Sequence, residues 1–197
     1  MKTIAVSGST CVGKTTLINK LIVEYPNSYV VAEKAENNPF FTRCFDNTNA
    51  TMFKSQLMFY IEYLQNIAQI NNFNKEIVFF DRYIDEHALI SKFRYEIGEL
   101  SESEFFICNN LANSIKMFSP QITKIIYLHC PLETVIERKK IRNKRWDVDI
   151  DAVNLGKLAQ TYNEWFVNTI KGNNSIEVLS LDTSVEIDLK KIKEFID

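Results

Sequence analysis

Four residues separate Gly8 from the run Gly13-Lys14-Thr15, within the stretch IAVSGSTCVGKTTLINKLI at residues 4–22. This is the spacing of a phosphate-binding P-loop, whose backbone N–H groups cradle an anion. Ahead of it, Ile4-Ala5-Val6 is apolar without a polar break and reads as a buried strand. Behind it, Thr15-Thr16 opens a helix whose predicted apolar face is Leu17, Leu21 and Ile22. The order strand, loop, helix is the context the motif needs, because the helix N-terminus adds its dipole to the loop's donors. Gly8, Ser9, Thr10, Cys11, Val12, Gly13, Lys14, Thr15 and Thr16 are therefore read as the residues that hold the phosphates of a nucleotide.

Two further signals carry charge at strand ends: Glu33 in YVVAEKAENNPFF and Asp81-Arg82 in EIVFFDRYIDE. Taken singly, each is an ordinary charged residue closing a strand. Together they converge on the edge of the sheet that the loop occupies, which is how a site is assembled. The elements that must place them are strand-like runs at Thr3–Ser7, Tyr29–Glu33, Ile77–Asp81, Lys124–His129 and Ile176–Ser180. Helical periodicity fills the gaps, in a long segment from about Thr48 to Phe73, then from Ser101, after Pro131, at Asp149 to Lys171 and at Val185 to Phe195. Ser101 and Glu104 have capping-box spacing. Strands alternating with helices predict one three-layer α/β domain over residues 1–197, a five-stranded parallel sheet flanked by helices. Ligands then gather at the carboxyl ends of the strands.

The 197 residues are 46% hydrophobic and 12% aromatic, enough to build a proper core. A net charge of −2 leaves no footprint for nucleic acid as a bulk partner. Cys11, Cys44, Cys108 and Cys130 form no CxxC pair, so neither a zinc site nor a disulfide framework is expected. No apolar run reaches membrane-spanning length and no secretory leader is visible, so a cytoplasmic protein without a membrane partner is the expectation. A switch GTPase is excluded on two counts. None of the five glycines has Asp three residues earlier, and in Asn143-Lys144-Arg145-Trp146-Asp147 the Asp falls one residue too late for a guanine-reading NKxD.

These residues, in this order, resemble the deoxynucleoside kinase family, and ENNPF at residues 36–40 looks most like its bacterial deoxyadenosine/deoxyguanosine kinase branch. The matching parts are Gly8–Thr15, Glu33, Gln56 in FKSQLMFYIEYLQ, Asp81-Arg82-Tyr83, and a basic lid in ERKKIRNKRWD at residues 137–147. The resemblance implies a P-loop kinase fold with a short lid at about residues 138–147. It also implies ATP-dependent phosphorylation of a deoxynucleoside 5′-hydroxyl, with Mg²⁺ as cofactor and a homodimer paired through the long helices. Phosphoryl transfer is catalysed mainly by positioning and charge stabilisation. In that scheme Lys14 contacts the β- and γ-phosphates, Thr15 ligates Mg²⁺ and Asp81 supports the ion through water. Glu33 accepts the proton of the 5′-hydroxyl, and Arg82 holds Glu33 or the moving phosphoryl group. Arg138, Arg142 and Lys144 close over the ATP phosphates, Arg138 and Arg142 being four apart on one helix face.

On the nucleoside side the resemblance assigns Gln56 to the base edge, with Tyr60 and Tyr63 on the same helix face at i+4 and i+7. Here the sequence departs from the family. The Arg–Asp pair that discriminates the base is replaced by Tyr63 and His87, which leaves room for thymine or a broader range. A satisfied core histidine is an equal reading of His87. The Tyr that bonds the sugar 3′-hydroxyl is Phe45, the lid's acidic sugar ligand is Asp147, and Ser55 and Ser91 stand where aromatics sandwich the base. A missing hydroxyl costs about 0.5–1.5 kcal/mol. Two other readings stay open: a thymidylate-type monophosphate kinase, with Arg43 near the acceptor, and a nucleotide-binding regulator with weak catalysis.

Overall fold

The computed structural model describes residues 1–41, 49–72, 74–143 and 151–197. Five strands, β1 (Lys2–Ser7), β2 (Ser28–Val31), β3 (Ile77–Asp81), β4 (Lys124–His129) and β5 (Glu177–Asp182), form one parallel sheet in the order β2-β3-β1-β4-β5. Alternate residues of the central strands face opposite layers. Ala5, Val78, Phe80 and Ile125 enter one core, whereas Ile4, Phe79, Ile126 and Leu128 enter the other. Helices α2 (Asn49–Gln69), α3 (Ile84–Glu96), α4 (Glu102–Lys116) and α6 (Ala152–Trp165) supply Tyr60, Phe93, Ile115 and Tyr162 to the first core. Helices α1 (Lys14–Glu24), α5 (Leu132–Arg142) and α7 (Leu189–Ile196) supply Leu17, Val135 and Ile192 to the second.

The strands read as β3 and β4 match the structure residue for residue. Other boundaries differ for physical reasons. β2 lies at the edge of the sheet and ends at Val31, so Glu33 stands two residues beyond it rather than at its end. The run assigned to Ile176–Ser180 pairs instead through Asp182, in register with His129 of β4. The buried stripe of α1 is Lys14, Leu17, Ile18 and Leu21, leaving Ile22 exposed, because one more residue turns the side chain a further ~100° around the axis. The last long helix begins at Ala152, where Asp151 accepts the Asn154 N–H at 2.8 Å, and ends in a π-helical turn, Phe166–Ile170. The final helix starts at Leu189, capped by Asp188, not at Val185. The Ser101–Glu104 capping box is formed as expected.

Helix α3 escaped the sequence reading altogether. Its buried positions include Glu86, His87, Ser91 and Arg94, so no apolar stripe marks its inner face.

Candidate functional site

β1 runs straight into the glycine loop. Gly8 has φ +139°, and a Cβ there would lie 2.2 Å from the Leu128 carbonyl oxygen of β4, so no side chain fits. Gly13, at φ +98°, turns the chain into α1 as its N-cap. Cys11 adopts φ +58°, an uncommon conformation for a residue with a Cβ. Ser9 is buried, Thr10 and Cys11 are half-buried, and Thr15 and Thr16 are exposed on the first turn of α1. Lys14 folds back over the loop, donating from Nζ to the carbonyls of Gly8 at 3.0 Å and Ser9 at 2.8 Å. Burial, then the neighbouring Arg82 charge, hold its ammonium down to about 8.

β3 delivers the next two side chains. Val6 of β1 and Asp81 are paired in register, and the Thr15 hydroxyl donates to Asp81 Oδ2 at 2.8 Å. Burial raises the Asp81 carboxyl, with Lys14 opposing. Arg82 then turns back at φ +67° and becomes the hub of the site. Its Nε donates to Glu33 Oε2, and its NH1 donates to the Tyr162 hydroxyl and, at 3.4 Å, to the Gly8 carbonyl. Glu86, fully buried on α3, stands 3.8 Å from the same nitrogen. Glu86 also accepts the Ser7 hydroxyl at 2.8 Å and the Gly8 N–H at 3.3 Å, tying α3 to the loop. Burial pushes the Glu86 carboxyl up. Glu33 goes the other way: burial raises it, but the charges of Arg82, His87 and Lys14 outweigh that and leave it below its ordinary value. Two carboxyls within one network are thus shifted in opposite directions, Glu33 down and Glu86 up, and Glu33 is the one that lines the cleft.

The cleft has a volume of about 790 Å³ and is lined by Thr10 to Thr16, Glu33, Asp81, Arg82, Arg138 and Arg142. Its far wall is the segment after β5, with Thr183, Val185 and Ile187, which the sequence reading did not single out. Arg138 is tied to that wall, donating from NH1 to Thr183 Oγ1 at 2.9 Å and from NH2 to the Thr183 carbonyl. Arg142 ends α5 at the rim. Lys144 and Asp147 of the lid, Phe45 and Arg43 lie outside the described residues.

Past Glu33, on the side of α2 and α3, the character changes. Phe59, Tyr60 and Tyr63 of α2 surround His87 of α3, with ring centroids 6.3, 5.8 and 5.5 Å from the imidazole. Burial holds His87 down to about 4, so it is neutral at ordinary pH. Gln56 is buried beside this group and accepts the Ser91 hydroxyl at 3.3 Å. Tyr60 is fully buried, its hydroxyl 3.1 Å from Ser91 Oγ, and it does not line the cleft. Tyr63, Phe59, His87 and Glu33 line a small cavity of about 10 Å³. Gln56, Tyr60, Tyr63 and His87 are therefore brought together, one step behind Glu33.

Sequence reasoning missed Glu86 and Tyr162. A weak signal existed for Glu86, which sits at the third position of α3 and accepts the Tyr83 N–H at 3.3 Å, as a first-turn carboxylate does. None existed for Tyr162.

A glycine loop on the central strand, a buried lysine over it and an Asp–Arg pair on the next strand define a nucleotide-dependent phosphotransferase of the α/β class. The deoxynucleoside kinase family model matches residues 4–197, and the chain belongs to the deoxynucleoside kinase family. It is accordingly a phosphotransferase that phosphorylates deoxynucleosides at the expense of ATP. Among solved structures, deoxyadenosine kinase from M. mycoides with bound dATP superimposes with a TM-score of 0.83 at 20% identity, over 99% of this chain and 98% of that one. The same enzyme with dCMP and a flexible dCDP gives 0.82 at 22% identity, over 98% and 96%. With dCTP it gives 0.80 at 20%, again over 98% and 96%. These likenesses carry the fold. A search of curated proteins finds no match.

Proposed function

We propose that Glu33 is the general base that takes the proton of the deoxynucleoside 5′-hydroxyl, and that Arg82 holds it in place and meets the transferring phosphoryl group. The observation that carries this reading is the Arg82 Nε–Glu33 pair at the mouth of the glycine loop. A hydroxyl acceptor needs such a base, whereas a phosphate acceptor is already an anion. Lys14 leaves the Gly8 and Ser9 carbonyls for the β- and γ-phosphates, and Arg138 and Arg142 cover them from α5, with Lys144 beyond. The Thr15 hydroxyl and Asp81 carboxylate, already 2.8 Å apart, are hard oxygen donors of the kind Mg²⁺ takes, so these two would hold the ion. When bound, Mg²⁺ neutralises charge developing on the phosphate oxygens.

Gln56 is assigned to the base edge, with Tyr60, Tyr63 and His87 as the wall behind it. The carboxamide suits a base that offers an amino donor beside a ring-nitrogen acceptor. Adenine and cytosine share that pattern, and nucleotides of both are held by the M. mycoides enzyme. Deoxyadenosine and deoxycytidine are therefore the acceptors proposed first. Phe45 and Asp147 complete the sugar side in this reading. All five strands belong to one sheet, which supports a single catalytic domain over residues 1–197. No helix among the described residues is long and apolar enough to cross a membrane, which fits the cytoplasmic assignment. Exposed Ile61 and Leu64 on α2 and Phe106 and Ile107 on α4 support a homodimer through these helices.

The test is phosphate transfer from labelled ATP with Mg²⁺ to dA, dG, dC, T and their four monophosphates. Turnover on deoxyadenosine or deoxycytidine is expected. Turnover confined to monophosphates contradicts the assignment of Glu33, and ATP binding without any turnover contradicts the assignment of catalytic roles as a whole.

A further inference from the structure

We propose that Tyr162 is a positioning residue for phosphoryl transfer, its hydroxyl holding the Arg82 guanidinium so that Nε stays on Glu33. The inference rests on the roles proposed for Arg82 and Glu33, and goes beyond them to a side chain on a different layer of the fold.

Arg82 carries a long flexible side chain on a left-handed backbone, so its own conformation does not aim the guanidinium. Two carboxylates compete for it. Glu33 takes Nε, while Glu86 waits 3.8 Å from NH1. Tyr162 stands between these outcomes. Its hydroxyl accepts from Arg82 NH1, and the Glu86 carboxylate is within its reach as an acceptor in turn. The phenol thus gives NH1 its hydrogen bond, while the ion pair with Glu86 stays at 3.8 Å, beyond hydrogen-bond length. Without the hydroxyl, the nearest acceptor left to NH1 on that side is the Glu86 carboxyl 3.8 Å away, and turning towards it draws Nε away from Glu33.

The ring itself is rigidly mounted. Tyr162 is fully buried, its ring 5.6 Å from the Arg82 guanidinium carbon and edge-on to Trp165, whose own ring packs on Tyr83 at 5.9 Å. One residue further along α6, Asn163 accepts the Tyr127 hydroxyl at 2.7 Å, and Phe166 stacks on the Tyr127 ring at 3.9 Å. These contacts pin the inner face of α6 to β4, so the hydroxyl is presented from a fixed base. A side chain placed this way adds geometry, not substrate contact, which predicts an effect on kcat more than on KM.

The experiment compares Tyr162→Phe in two backgrounds, wild type and Arg82→Lys, with Glu33→Gln assayed alongside. In the wild-type background kcat is expected to fall about tenfold with both KM values within about twofold, and in the Arg82→Lys background the same change should cost less than about twofold. Tyr162→His, which keeps a ring that can hydrogen-bond, should recover part of kcat, and it runs the same cycle if Tyr162→Phe does not fold. Equal losses in both backgrounds, or a rise in KM at constant kcat, overturn the proposal, as does no loss at all. If Arg82→Lys and Glu33→Gln themselves keep full activity, the underlying reading of that pair has failed. If they lose activity while Tyr162→Phe is silent, only the role of Tyr162 has failed.

Discussion

Glu33 stands between two regions built on opposite plans. On its phosphate side, Lys14, Thr15, Asp81, Arg82, Glu86 and Tyr162 form a polar network in which each side chain has a named partner. On its base side, three aromatic rings close around a neutral histidine, and Gln56 with Ser91 supplies the polar contact. The first arrangement stabilises charge and tolerates little change, because displacing one ion leaves another buried without its partner. The second is packing with a few hydrogen bonds, which can be retuned for a different base without touching the chemistry. Under the proposed assignment, Tyr63 and His87 fall on the side where a change leaves the phosphate network untouched.

The largest effect is expected from Gly8→Ala. A Cβ 2.2 Å from the Leu128 carbonyl forces the loop off β4, and ATP binding should be lost in calorimetry even if the sheet survives. Retained ATP affinity would show the phosphate side to be as adaptable as the base side. Gln56→Leu should act on the other region only. Nucleoside affinity and base preference should change by about 1–3 kcal/mol while ATP affinity stays the same, measured as KM across the four nucleosides. Loss of ATP binding in that variant would erase the boundary drawn at Glu33.

The last effect falls on stability rather than on activity, as a pH dependence from the base side. His87 is held near 4 in the fold against an ordinary 6.5, so the unfolded chain takes up its proton first as pH falls. Its contribution is complete above pH 6.5 and is lost progressively between 6.5 and about 4. That loss amounts to about 3 kcal/mol. Urea unfolding at pH 7 and pH 5 should therefore show a smaller drop for His87→Asn than for wild type. Identical drops would mean that His87 is not buried as a neutral ring.

The same contrast explains what was legible in the sequence. Phosphate chemistry demands particular residue types at short spacing, so Gly8 to Thr15 and Asp81-Arg82 stood out. The central strands β3 and β4 did too, as unbroken apolar runs. Tyr162 was invisible and Glu86 left only its first-turn position, because their partners at Arg82 and Ser7 are 80 and 79 residues away, a proximity created only by folding. Helix α3 was missed because the site buries its polar residues, which erases the pattern that marks a helix. At the base side, Phe59, Tyr60 and Tyr63 look like any core stripe, and the structure places them both in the core and around His87.

The measurement that tests the central claim most directly is the rate of phosphoryl transfer by Glu33→Gln on the preferred deoxynucleoside, with ATP affinity measured on the same sample. Removing the base while keeping its shape should lower kcat by about 10²–10⁴-fold with ATP affinity unchanged. A kcat within a fewfold of wild type would contradict the account, because the Arg82–Glu33 pair would then be a structural tie and the proton would leave by another route.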